Sequence, residues 1–409
     1  MPSLNQQIFI GAFFGLLVGG LLTQISAASP AYEWVMYSST LIANLFVDLL
    51  KMVLIPLVFS TIVVGVANLQ THAQINKVWI TTLLFFATTM SIAIILALTV
   101  MNLTRPGEGL HLSMFQGAME NFQYNKLPPA DFFTQFLHSL FQNPFSALAK
   151  GDVFAVVIFA LFLGVALVMG GDRYRNILNL FQEFLDLMMR IIGWVMYLAP
   201  FGIFALLIKL VATQNMELLA TLGKFILIVI GLTMIHGVII LPAMLYAVTK
   251  KTPLWFWRGA REALITAFAT SSSSATLPVT LRCTEKNLHV QKDIVGFVVP
   301  LGATANMDGT ALYEAAAALF IANLVGIELT LAQQLILFFT AMIAAIGAPG
   351  IPSAGMVTMV MVLQSVGLPV EAIAILLPID RLLDTFRTTV NVEGDMIGSL
   401  VVQKIVGVK

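Results

Sequence analysis

Long apolar stretches alternate with short polar breaks through the first 250 residues. They cover about 7–27, 36–69, 76–103, 140–170, 181–213 and 217–249. Each is long enough for a helix crossing a bilayer, which needs about 20 apolar residues. The second and fifth exceed a perpendicular span, which predicts tilt. The widest break, from Thr104 to about Phe141, carries "RPGEG" and "NKLPPADF" and predicts an irregular extramembrane loop. The chain opens on "MPSLNQQIFIGAFFGLLVGGLL", with no basic stretch ahead of the apolar run and no clear small-residue cleavage motif. It reads as a first span, not a removed signal.

After residue 250 the pattern changes. Apolar stretches shorten and are broken by Ser, Gly and Pro, as in "FATSSSSATLPVTL" (268–281) and "AAIGAPGIPSAGMV" (344–357). Non-helical backbone at membrane depth survives only when buried in protein or lining a wet cavity. Apolar flanks favour re-entrant hairpins over surface loops for both segments. Each is followed by a helix with polar residues inside, the arrangement expected around a transporter's binding site.

Composition agrees with a polytopic membrane protein. The chain is 59% hydrophobic and 10% charged, with a mean hydropathy of +0.93. A soluble domain is about 45–50% apolar and about 25% charged. Formal net charge is zero, so nothing points to nucleic acid or another polyanion. The single Cys283 excludes an intrachain disulfide and a multi-cysteine metal site. The five histidines (His72, His111, His138, His236, His289) show no ligand spacing and read as loop or packing residues. Lys77, Arg173, Arg175, Lys250, Lys251, Arg258, Arg261, Lys404 and Lys409 fall on one side if spans alternate, leaving Arg105, Lys126 and Lys150 near the long loop. The positive-inside rule then places both termini in the cytoplasm of a plasma (inner) membrane.

Charge concentrates in "DRLLDTFRTTVNVEGD" (380–395). At about 100° per residue, Asp380, Asp384, Arg387, Thr388, Asn391 and Asp395 share an arc of about 100° on one helix face, about 22 Å long. Arg381 sits at its edge, Thr385 lies further round, and Glu393 points almost the opposite way. An intrahelical ladder between Asp384 and Arg387 or Thr388 accounts for part of this. It leaves Asn391 and Asp395 unexplained, which favours a ligand and cation site.

Two further stretches carry chemistry. In "NMDGTALYE" (306–314), Asn, Asp and Thr supply hard oxygens for a small hard cation. Gly309 is placed to let the helix unwind and free carbonyls as further ligands. Glu314 lies in an apolar helix, where burial disfavours a charged carboxyl, so it is the candidate proton carrier. In "TSSSSATLP" (270–278), hydroxyls and backbone N–H groups suit a carboxylate. A serine nucleophile would need a G-x-S-x-G elbow and a base. Neither is there apart from His289, so no enzyme is expected.

Together these residues resemble the dicarboxylate/amino acid:cation symporter family, the sodium- and proton-coupled glutamate and aspartate transporters. "SSSSATLPVT", "LGATANMDGTALYE", "GAPGIPSAGMVTMV", "SVGLP" and "DTFRTTVNVEGD" follow in the family's order, and "LLKMVLIPLVFSTIVVGVANL" and "YLAPFGIFALL" also fit. The resemblance covers essentially the whole chain. It implies an all-α polytopic fold of eight transmembrane helices plus two re-entrant helical hairpins, built on inverted repeats and assembled as a homotrimer in lipid. Scaffold spans one and two would occupy 1–75, and span three of the transport domain 76–103. Scaffold spans four and five, with an extracellular loop, would occupy 104–216. The transport core would occupy 217–409: span six, hairpin one (254–288), span seven (290–323), hairpin two (331–367) and span eight (370–405). The implied activity is import of L-glutamate or L-aspartate by an elevator movement, coupled to sodium and a proton, with no cofactor. A C4-dicarboxylate or neutral amino acid carrier, or an anion channel, is the alternative.

Carried over by position, the resemblance implies that Arg387 and Thr310 hold the side-chain carboxylate, and that Asp384 and Thr388 take the amino group. Asn391 and Ser273 would hold the α-carboxylate, with Ser271, Ser272 and the tip Ile351, Pro352, Ser353, Ala354 and Gly355. One sodium would sit among Gly302, Asn306, Asn391 and Asp395. A second would take carbonyls of Thr304, Ala345, Ile346 and Ala348. A third would involve Asn306, Asp308 and Thr89. This sequence departs from the family pattern in two places. Phe86 and Met90 stand where members carry a Tyr and a hydroxyl near that third sodium. Ser271 and Thr385 stand where members carry an extra Arg, with Arg381 one turn earlier on span eight. Glu314 matches the acid of proton-coupled members.

Overall fold

Backbone groups in hydrocarbon must satisfy one another, and a helix does so within a single segment. The computed structural model describes residues 4–26, 28–68, 76–109, 141–150, 153–213, 216–348, 350 and 352–407, which contain helices and turns and no strand. The expected polar loop falls almost wholly outside them.

The first three apolar runs form α1 (Leu4–Leu22), α2 (Pro30–Asn68) and α3 (Asn76–Thr104). The next two, each expected as one span, each hold two helices among the described residues. The run at 140–170 forms α4 (Pro144–Lys150) and α5 (Val153–Gly170). The run at 181–213 forms α6 (Arg175–Tyr197) and α7 (Ala199–Thr213). The helical stretches Ile158–Tyr197 and Ala199–Lys209 meet at 51°. Pro200 explains the bend: it has no N–H to bond back into α6, and it is favoured in a first turn. α1 lies along α7 through Gly11, Gly15 and Gly19. A Cβ there would stand 2.5 Å from the Pro200 oxygen, 2.7 Å from the Phe204 oxygen and 2.7 Å from Val211 Cβ. The four-residue spacing of small residues lets the two backbones approach.

The sixth run forms α8 (Met216–Ile235), a π turn at His236–Ile240 and α9 (Leu241–Thr249). Pro242 withdraws an N–H from the helical ladder just beyond the π turn. By length and apolarity, Lys77–Thr104 and Ala220–Thr249 suffice to cross a bilayer, as does the bent pair if taken as one span, among the described residues.

Beyond residue 250 the helices are shorter and paired. α10 (Pro253–Thr270) and α11 (Ser273–Arg282) pack on each other, as do α14 (Leu331–Gly347) and α15 (Ala354–Ser365). Thr252 and Ser272 cap the N-termini of α10 and α11, and Thr330 with Gln333 forms a capping box on α14. Each pair turns on a serine in the left-handed region, Ser271 at φ 50° and Ser353 at φ 60°. Such strain persists only where surrounding structure enforces it.

α12 (Lys292–Ala305) and α13 (Asp308–Leu324) are separated by Asn306 and Met307, both non-helical. The break therefore falls before Gly309, not at it. Gly309 has a different use: a Cβ there would stand 2.6 Å from the Arg387 carbonyl oxygen and 2.7 Å from its Cα. α16 (Ile373–Val406) closes the chain and ends on Gly407 at φ 75°, the usual left-handed stop.

Packing sorts the helices into two groups. α1, α2, α5, α6 and α7 pack chiefly on one another; α3 and α8 through α16 do the same, with α16 at the centre. The groups meet where α14 and α15 lie on α2, α15 on α5, and α16 on α7. α13 is buried on every side, as expected of a helix whose apolar character runs all round.

Candidate functional site

α16 carries the densest charge of the chain into the middle of its group. Asp380, Arg381, Asp384, Arg387, Thr388, Asn391 and Asp395 are all buried. Arg387 donates through Nη2 to Asp380 Oδ1 at 2.8 Å and to Asp384 Oδ1 at 2.7 Å. Its Cζ stands 4.0 Å from the Tyr313 ring centroid, a favourable cation–π placement. Asp384 Oδ2 accepts the Ser353 N–H at 2.7 Å and Arg381 Nη1 at 3.5 Å. Two carboxylates thus face two guanidiniums, and their formal charges cancel. Removing one member would leave an uncompensated buried charge, which costs about 3–5 kcal/mol.

Arg387 is still not saturated. Its Nε and Nη1 have no hydrogen-bond partner among the described residues. Gly355 brings the tip of α15 against this free edge: a Cβ there would be 3.4 Å from Nη1 and 3.2 Å from Thr310 Cγ2. Thr310 accepts a hydrogen bond from Asn391 Nδ2 at 3.3 Å, and Asn391 Oδ1 accepts the Gly309 N–H at 2.8 Å. A planar fork with two unused donors, walled by small residues, is suited to a carboxylate.

The two tips join beside it. Ser272 Oγ donates to the Gly350 carbonyl at 2.7 Å, and the Ser274 N–H donates to the same oxygen at 3.0 Å. Ser271, Ser272 and Ser273 are buried, and the Ser271 hydroxyl has no partner among the described residues. Ala354 and Gly355 are buried, and Pro352 and Ser353 half-buried. Ile351 lies outside the described residues. Thr388 is buried near the ion cluster.

One turn further along α16 the groups become oxygen-rich. Asn306 Nδ2 donates to Asp395 Oδ1 at 3.1 Å, and Asp395 lies so close to Gly302 that a Cβ there would be 2.2 Å from the same oxygen. Thr89 Oγ1 donates to Asp308 Oδ1 at 3.0 Å and lies 3.4 Å from Asn306 Oδ1. Carboxylate, amide and hydroxyl oxygens are the donors a small hard cation takes. Phe86 and Met90 are buried beside them and add no oxygen. The remaining candidates lie apart. Thr304 and Ile346 line a cavity of ≈ 80 Å³ with Ile62, Val66, Leu161, Ala305, Ile343 and Gly347, and Ala345 and Ala348 are buried in the same region. Glu314 is fully buried on α13. Its Oε1 accepts the Thr358 hydroxyl of α15, and its Oε2 has no partner among the described residues.

Several members were not singled out from sequence. His236, read as a loop or packing residue, is fully buried, and its Nε2 lies 3.0 Å from Asp308 Oδ2. The available signal was its place in an apolar run, since ionisable groups there have partners by default. Tyr313 and Thr358 carried no polar pattern of their own. Arg381 reaches hairpin backbone as well as Asp384, donating through Nη2 to the Thr270 carbonyl at 3.4 Å. Glu393 belongs elsewhere: its Oε1 accepts from Trp257 Nε1 of α10 at 3.0 Å.

An apolar, all-helical chain with balanced charge buried where two paired-helix tips meet has the make-up of a secondary transporter. The comparison with known sequences is specific. The chain belongs to the sodium:dicarboxylate symporter family, which it matches over residues 4–405. It is 34% identical to human excitatory amino acid transporter 3 over 88% of this chain and 78% of that protein. It is 32% identical to human excitatory amino acid transporter 2 over 96% of this chain and 77% of that protein. A putative sodium-dependent excitatory amino acid transporter of Caenorhabditis elegans is also 32% identical, over 88% of this chain and 82% of its own length. The family is one of sodium-coupled, integral membrane transporters, not enzymes.

Proposed function

We propose that this chain is a secondary-active symporter importing L-glutamate or L-aspartate, driven by sodium and a proton. The observation that carries the substrate class is Arg387: it is fully buried, it faces Asp384, and it keeps two donors free of partners among the described residues. Arg387 receives the side-chain carboxylate with Thr310. Asp384 takes the amino group, displacing the Ser353 N–H, with Thr388 alongside. Asn391 and Ser271–Ser273 hold the α-carboxylate. A C4-dicarboxylate carrier would have no use for Asp384 facing an amine, and a neutral amino acid carrier none for Arg387.

Sodium ions travel as co-substrates. One is held by Gly302, Asn306, Asn391 and Asp395, and a second by carbonyls of Thr304, Ala345, Ile346 and Ala348. Thr89, Asn306 and Asp308 are left with a smaller oxygen set for a third, because Phe86 and Met90 supply none. Glu314 carries the proton. The chain forms eight spans and two re-entrant hairpins, α10–α11 and α14–α15, with both termini cytoplasmic and three copies per assembly. The group around α16 is the moving part, and α1, α2 and α5–α7 the fixed scaffold. The separate packing of the two groups supports this division.

The test is uptake of labelled aspartate, glutamate, succinate and serine into proteoliposomes under separately imposed sodium, proton and potassium gradients. Concentrative uptake of aspartate or glutamate that follows sodium is expected. Uptake of succinate in preference to both would overturn the assignment, and equilibration without accumulation would mark a channel.

A further inference from the structure

The base of the α10–α11 hairpin carries a surface that the substrate and cation sites do not use. The sequence "KKTPLWFWRGAR" (250–261) places four basic residues and two tryptophans within twelve positions. Lys250, Lys251, Arg258 and Arg261 are exposed. Among the described residues no carboxylate pairs with them: Glu262 is taken by Arg282 and Glu285 by Lys286. Lys251 Nζ sits 4.7 Å above the Trp255 ring.

α10 is also amphipathic in an unusual sense. Leu254, Arg258, Arg261, Ile265 and Phe268 fall within an arc of about 80° on its surface. Leu254 is 56% exposed, Ile265 62% and Phe268 45%, and both arginines are exposed. Past Leu254, the stripe is basic toward the hairpin base and apolar toward its tip. Arg258 and Phe268 are about 15 Å apart along the helix. The opposite side of α10 packs on α11 and α16 through Phe256, Ala260, Ala263 and Ala267, all buried. Apart from Phe268, whose ring also meets Phe386 of α16 edge-on at 5.2 Å, the stripe is an outer face of the group that holds the candidate site.

We propose that this stripe binds one anionic glycerophospholipid. Arg258 and Arg261 are i,i+3 neighbours on one face, and two planar guanidiniums can fork a phosphodiester between them. Lys250 and Lys251 add charge at headgroup level, and Trp255 anchors the helix at the interface. Ile265 and Phe268 line the path of an acyl chain. A clustered set of basic residues beside a span is the pattern that attracts anionic headgroups. Because α10 packs chiefly on α11 and α16 among the described residues, a bound lipid would load the proposed moving part and not the scaffold. That consequence rests on the transport reading above; the binding itself does not.

The test uses the full chain, delipidated in detergent and offered phosphatidylglycerol or phosphatidylcholine, with bound lipid counted by native mass spectrometry. The wild type should retain phosphatidylglycerol in preference, and R258Q/R261Q should retain it roughly 30-fold less, the expectation for two basic contacts. Equal retention by wild type and variant, or equal retention of both lipids, would overturn the proposal. So would displacement by inorganic phosphate at matched concentration, or a change of oligomeric state in place of lipid loss, which would make the stripe a contact between copies. A second arm measures uptake in vesicles with and without phosphatidylglycerol, where the variant should lose the wild type's lipid dependence. Retained lipid with no uptake in any vesicle would remove the transport reading and leave the lipid site standing.

Discussion

Arg387 divides its fork. One nitrogen is spent on Asp380 and Asp384, and the free edge is what a substrate carboxylate would meet. Arg387→Lys keeps the charge that balances the two aspartates but loses the planar fork. A charged hydrogen bond contributes about 1.5–3 kcal/mol, so acidic-substrate uptake should fall by roughly 100-fold while the thermal midpoint of the purified protein stays near wild type. Undiminished uptake would exclude Arg387 from the substrate. Glu314 makes a separable prediction. In Glu314→Gln the Oε1 can still accept from Thr358, so the fold is kept and only the capacity to gain and lose a proton is removed. Sodium-driven uptake should persist and its response to an imposed pH gradient should vanish; a surviving response would move the proton to another group. Both residues were legible in the sequence: the 100° period gathers Asp380, Asp384, Arg387, Asn391 and Asp395 on one face of α16, and Glu314 is a carboxyl within the apolar run that forms α13. His236 was not. A single polar residue in an apolar run has no periodicity, and its partner Asp308 lies 72 positions away.

At the scale of the element, glycines decide how closely helices can meet. Gly309 faces the Arg387 backbone, which cannot move aside as a side chain could. Gly309→Ala should destabilise by about 1–3 kcal/mol through overpacking. Gly296 is the control, since a Cβ there meets nothing within 4 Å, and Gly296→Ala should be neutral or slightly stabilising, as expected in a helix. Thermal midpoints of the two variants test this directly; equal midpoints would show that α13 and α16 have slack. The helices themselves were readable from apolar runs, and their interruptions only partly. Pro200 marks the end of α6 in plain sight, whereas the break at Asn306–Met307 and the π turn at His236 depend on what packs against them. Apolar length alone could not separate one tilted span from two helices at 51°.

At the scale of the molecule, the question is whether the two packed groups move past each other. They meet through few elements, and one contact is close: a Cβ on Gly347 of α14 would stand 2.8 Å from Ile62 Cγ1 of α2. That proximity defines a cross-link. In a Cys283→Ser background, Ile62→Cys removes the obstructing side chain, and Gly347→Cys then faces it within the reach of a disulfide. Oxidation should join α2 to α14. If the α16 group must slide along the scaffold to deliver its solute, the oxidised double variant should bind substrate yet transport none, and reduction should restore uptake. Ile62→Cys alone should transport with or without oxidant, as should the double variant kept reduced, which separates immobilisation from damage to the site. Full uptake by the cross-linked protein would mean that α2 and α14 stay together through the cycle, and the moving boundary would then have to lie elsewhere than between these two groups.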